Sequence, residues 1–84
     1  MENKLKLFGA DWCPKTANIR NYLQSEWVDF EYYNVEQNEE AKEELKEFYN
    51  GKVKFPTLSL GKDFLKNPKI REIREFVKKH GLDE

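Results

Sequence analysis

The sequence predicts an α/β fold in which a four-stranded mixed sheet is flanked by three helices, in the order βαβ followed by ββα. Three observations predict it. Short alternating or β-rich runs are separated by stretches whose apolar residues recur at helical spacing. The first strand–helix–strand unit requires a right-handed crossover joining parallel strands. The Gly61-Lys62 turn between the last two strands requires an antiparallel pair. One mixed sheet with helices on both faces meets both requirements.

Each element has its own signal. Lys4-Leu5-Lys6-Leu7-Phe8 alternates and predicts a first strand, followed by a loop from Gly9 to Trp12. Pro14 suits the first helical position, where its missing N–H costs nothing, so Cys13 is the expected N-cap. Ile19, Tyr22, Leu23 and Trp27 carry the helix to about Glu26, with Trp27 expected in core or helix-end packing. Phe30 to Val35 is the second strand. Asn38 caps the second helix, with Glu39 and Glu40 in the favourable first turn. Ala41, Leu45, Phe48 and Tyr49 form its inner face, Gly51 ends it, and the charges from Glu36 to Glu47 form its wet face. Thr57 to Leu60 and Asp63 to Lys66 form the hairpin. Asn67-Pro68 is expected to open the third helix by the same cap-plus-proline device, with Ile70, Ile73, Phe76 and Val77 facing inward. His80 falls in the last turn, where a cation suits the helix dipole, and it is far along the chain from Cys13.

Eighty-four residues make one domain spanning 1–84, because two cores would each be too small. Fifteen basic against sixteen acidic side chains give a net charge of -1, which supplies no electrostatic reason for nucleic acid or an anionic membrane as partner. No apolar run approaches the ~20 residues of a membrane span. Met1 to Phe8 has no signal-peptide pattern, so the expectation is a protein without a leader. One cysteine excludes an internal disulfide, and one histidine leaves no metal-ligand cluster, so no metal is expected. A free thiol fits a reducing cytoplasm.

Cys13 carries the chemistry. At a helix start, unpaired N–H groups and partial positive charge stabilise thiolate over thiol, and the thiolate is the species that attacks disulfides. Lys15 adds a positive charge and Asp11 a negative one, with opposite effects on the sulfur. Thr16, one helical turn on, either donates a hydrogen bond to the thiolate or bonds a backbone carbonyl. Free cysteines are commonly buried and inert, but cysteine is not a favoured N-cap, which argues for reactivity here.

At these residues the chain resembles the thioredoxin superfamily and, within it, the glutaredoxins. Asp11-Trp12-Cys13-Pro14-Lys15-Thr16 looks like the family's Cys-Pro-x-Cys site with threonine in place of the second cysteine, and Phe55-Pro56-Thr57 looks like its cis-proline loop. Trp12 and Pro56-Thr57 are also similar to the thioredoxin branch, but the chain lacks that branch's additional N-terminal strand and helix. The resemblance implies a thioredoxin/glutaredoxin-like fold. It implies that Pro56 is cis beside Cys13, and that the Phe55 backbone pairs with a glutathione or peptide disulfide. It implies glutathione as co-substrate, and glutathionylated or disulfide-bearing proteins as partners of a monomer.

Two departures stand out. Ala10 occupies the position where many glutaredoxins carry lysine, and Lys66-Asn67-Pro68-Lys69 replaces the family's glycine-containing turn. Asn67 and the helix N–H groups remain available to a carboxylate. Lys6, Lys15, Lys54 and Lys69 are candidate substitutes, although a solvated surface role is the commoner fate of lysine. The site expected from the resemblance therefore comprises Cys13, Pro14 and Thr16 for catalysis, with Trp12, Lys15, Phe55, Pro56 and Asn67 around the substrate. A single cysteine leaves only monothiol exchange. The alternatives are an iron–sulfur cluster carrier, which Pro14 stiffens against, and a non-catalytic thioredoxin-fold binding module.

Overall fold

The computed structural model describes residues 4–82. Its elements are β1 (Leu5–Gly9), α1 (Pro14–Ser25), β2 (Glu31–Asn34), α2 (Glu39–Phe48), β3 (Thr57–Leu60), β4 (Asp63–Lys66) and α3 (Ile70–Lys79). The strands lie in the order β2-β1-β3-β4. β1 and β2 are parallel, and the other two pairs are antiparallel. This is the expected mixed sheet.

Alternation along β1 divides the core in two. Leu5 and Leu7 point to the face covered by α1 and α3, where they meet Ile19, Leu23, Leu58, Ile73, Phe76 and Val77. Phe8 points to the opposite face and packs with Val35, Ala41, Leu45 and Tyr49 against α2. Its ring stacks on Tyr33 at 5.8 Å and meets Phe48 edge-on at 6.3 Å. Among the described residues no helix is long and apolar enough to cross a membrane.

Three local expectations are corrected. Trp27 is not in the core: it is 93% exposed and sits in the left-handed region at φ 58°. The cause is the end of α1, where the Trp27 N–H donates to the Gln24 carbonyl and the Val28 N–H to that of Leu23. That paired closure requires a left-handed residue after the C-cap, and it sends Val28 inward in place of the tryptophan. At the end of α2 the first left-handed residue is Asn50, one position before Gly51, and the Gly51 N–H then closes on the Lys46 carbonyl.

The third correction concerns α3. Its N-cap is Lys69, not Asn67. Asn67 adopts φ 42° and its N–H donates to the Pro56 carbonyl at 2.8 Å, so it ends the hairpin instead of starting the helix. Pro68 is buried just before the cap. The Lys69 N–H is satisfied by the Glu72 carboxylate reaching back at 2.8 Å.

Candidate functional site

Strand register gathers four segments at one end of the sheet. Phe8 pairs with Thr57 and Thr57 with Lys66, so the residues just beyond, Gly9, Pro56 and Asn67, share that end. Gly9 also pairs with Asn34, and its carbonyl accepts from the Val35 N–H at 3.0 Å. The loop carrying Cys13 leaves from this end.

Cys13 is the N-cap of α1 in an extended conformation, with Pro14 beginning the helix, as its position in the sequence predicts. The Cys13 N–H donates to the Ala10 carbonyl at 3.1 Å, which closes the loop tightly. Cys13 is buried, with 9% of its surface exposed.

Burial pushes the thiol up, but the Thr16 hydroxyl, the Thr16 and Lys15 backbone N–H groups and the Lys15 charge outweigh it. The net effect holds Cys13 below its ordinary 9.0. Asp11 is not among the influences on the sulfur; its carboxylate accepts from the Tyr32 hydroxyl at 2.8 Å. Burial, followed by this bond to Asp11, pushes Tyr32 up to about 12. The Arg20 guanidinium lies 4.6 Å from the Tyr32 ring centre.

Thr16 is fully buried, and its hydroxyl oxygen has no hydrogen-bond partner among the described residues. A buried hydroxyl left without a partner is costly, and this one is among the groups that lower the Cys13 thiol. Thr16 sits directly over Gly9: a Cβ there would come within 2.4 Å of Thr16 Oγ1. A glycine at a strand end often marks such a close approach, which is the sequence signal that could have found Gly9.

Trp12 is 66% exposed, yet held from two sides. Its indole N–H donates to Glu36 Oε1 at 2.7 Å, and its ring meets Phe55 edge-on at 5.8 Å. The sequence marks Glu36 only as part of the charged run from Glu36 to Glu47. Its position just past β2, the strand parallel to β1, was the available clue. The Phe55-Pro56 bond is cis, as the resemblance implies, and Pro56 is fully buried. Thr57 anchors this loop by donating to the Lys54 carbonyl at 2.9 Å, while its oxygen is shared with the Tyr49 hydroxyl at 2.8 Å.

The candidate lysines separate. Lys6 is bound to Glu44 at 2.9 Å on the α2 face. Lys54 lies over the Tyr49 ring. Lys15 and Lys69, together with Asn67, line one cavity of about 350 Å³. His80 lies at the other end of α3, 3.3 Å from Asp63 at the start of β4. Among the described residues no cluster of potential ligands could hold a metal ion.

The glutaredoxin family model matches residues 5–65. A search of curated proteins finds no match. Among solved structures, the chain is similar to the thioredoxin-like protein BC3987 (TM-score 0.76, 18% identity, covering 86% of this chain and 97% of that one). It is similar to a glutaredoxin from Archaeoglobus fulgidus (TM-score 0.74, 20% identity, covering 90% and 87%). It is also similar to actin interacting protein 5 (TM-score 0.64, 19% identity, covering 100% and 92%). Identities this low establish the fold, and one fold hosts different functions.

Proposed function

The chain belongs to the glutaredoxin family, and we propose that it is a monothiol thiol–disulfide oxidoreductase acting on glutathione mixed disulfides through Cys13. The observation that carries the reading is the Cys13 thiol at the start of α1, held below its ordinary pKa by the Thr16 hydroxyl, the Thr16 and Lys15 amides and the Lys15 charge.

The Cys13 thiolate attacks the glutathione sulfur of a mixed disulfide. The substrate sulfur leaves as a thiolate and takes a proton from water, and Cys13 is left joined to glutathione. Thr16 stands where a second thiol would close an internal disulfide, so a second glutathione attacks the Cys13-bound sulfur, restores Cys13 and departs as glutathione disulfide. Lys15 and the helix amides stabilise the sulfur whenever it carries charge, both before attack and as the leaving group of resolution. Trp12 and Phe55 form an aromatic rim along which an extended substrate pairs with the Phe55 backbone. A monomer in a reducing cytoplasm suits this cycle.

The test is the pH dependence of Cys13 alkylation, together with intact mass after incubation with oxidised glutathione. Half-maximal alkylation well below pH 9 and a single glutathione adduct that free glutathione removes are the expected results. An ordinary thiol with no adduct would overturn the reading and leave a redox fold used for binding.

A further inference from the structure

The aromatic rim beside Cys13 ends in a fixed and unpaired charge. Glu36 is exposed, yet its place is set by the fold. Its backbone N–H donates to Asn34 Oδ1 at 2.9 Å, and Asn34 is the sheet partner of Gly9. Its Oε1 accepts from the Trp12 indole N–H at 2.7 Å. The indole is a neutral donor, so this bond positions the carboxylate without cancelling its charge. The ion pairs among the described residues join Lys6 to Glu44, Lys46 to Glu43 and His80 to Asp63, and Glu36 is in none of them. Lys54, the cation next to Phe55 in the chain, lies over the Tyr49 ring. Asp11, the acid before Trp12, bonds Tyr32, whose ring lies under the Arg20 guanidinium. The first turn of α2 follows Glu36 with Glu39 and Glu40, both exposed.

The sulfur is therefore flanked unequally. Lys15 acts on it from α1, while the wall made by Trp12 and Phe55 ends in Glu36. A substrate lying along this wall passes the carboxylate. A Lys or Arg beside its cysteine gains a charge-assisted bond there, and an Asp or Glu meets repulsion. Resting on the monothiol reading above, we infer that Glu36 is a specificity-determining residue, selecting protein mixed disulfides that carry Lys or Arg beside the reacting cysteine. The glutathione half is common to all such substrates, so the choice rests on the protein half.

The test uses two glutathionylated peptides that differ only in having Lys or Glu on both sides of the cysteine. Release of the peptide thiol by the full chain with free glutathione is measured as kcat/KM at low salt. Each value is divided by the rate of the uncatalysed exchange, which flanking charge also alters. The Lys peptide should be preferred about fivefold, a preference that shrinks in ~1 M salt, where the screening length is about 3 Å. Glu36→Gln keeps an acceptor for the indole N–H and removes the charge, so the ratio should fall to about one while the Trp12 indole N–H signal in the NMR spectrum stays in place. Trp27, 93% exposed past the other end of α1, supplies the reference indole signal. Glu36→Lys should reverse the preference. Equal turnover of the two peptides overturns the inference, as does a ratio that Glu36→Gln leaves unchanged. If neither peptide is turned over, the monothiol reading falls, and titration of the same peptides against the Trp12 indole signal decides the inference alone. A response to the Lys peptide at lower concentration sustains it, and no difference between the two overturns it.

Discussion

Two helices of this protein begin at or just after an X-Pro dipeptide, and they use it differently. At α1 the proline occupies the first helical position and Cys13 is the cap, so the sulfur sits among the helix's free amides. At α3 the proline precedes the cap, the preceding Asn67 is left-handed, and its N–H is tied to the Pro56 carbonyl. The Lys69 N–H at the start of α3 is then closed by Glu72. One start is left chemically open, and the other is closed by protein groups while its flanking lysine faces a cavity. The difference lies in what each start is anchored to: β1 and Gly9 directly for α1, and the hairpin end and the cis-proline loop for α3.

The largest expected effect comes from filling the space beneath α1. Gly9 does not have a left-handed φ, so its small size is what matters. Gly9→Val should destabilise the fold by about 3 kcal/mol through overpacking against Thr16, read as a lower urea midpoint. A change below about 0.5 kcal/mol would mean that α1 can lift without cost. α3 has no such glycine beneath its start.

A change at Thr16 separates chemistry from stability at the open start. Thr16→Val removes a buried hydroxyl that bonds no oxygen or nitrogen, so stability should hold or rise by about 1 kcal/mol, while alkylation of Cys13 shifts to higher pH. The linkage has a definite sign. A folded-state pKa held below 9.0 favours the thiolate in the native state, so the stabilisation is fully present above pH 9 and is lost as pH falls through the folded pKa. Thr16→Val should flatten that part of the stability–pH curve. An unmoved alkylation profile would assign the lowered pKa to the helix amides and Lys15 alone.

The smallest effect belongs to the closed start. Glu72→Ala frees the Lys69 N–H and should cost about 0.5 to 1 kcal/mol by urea denaturation, with the alkylation profile of Cys13 unchanged. A shift in that profile would show that the two starts are electrostatically coupled.

Much of this was legible because it is local. Alternation in β1, the Cys13-Pro14 start, the Asn38 cap that accepts from the Ala41 N–H and the Gly61 turn each depend on a few adjacent residues. Trp27 misled because its apolar spacing is that of a core residue, whereas the helix had to end there and Val28 was the better inward neighbour. The Trp12–Glu36 and Tyr32–Asp11 bonds were invisible, since they join residues 24 and 21 apart through the β1–β2 pairing.

The sequence by itself determined the element order, the parallel and antiparallel pairings and the place of the reactive cysteine, because periodicity, caps and turns are short-range properties of the chain. Tertiary structure alone decided which partner each charged side chain meets and that the Lys15 charge acts on the sulfur. Asp11 is held by Tyr32 and Lys6 by Glu44, while Lys15 and Lys69 share a cavity. Electrostatic influence depends on distance and burial in space, and only the folded sheet brings residues so far apart along the chain within reach of one another.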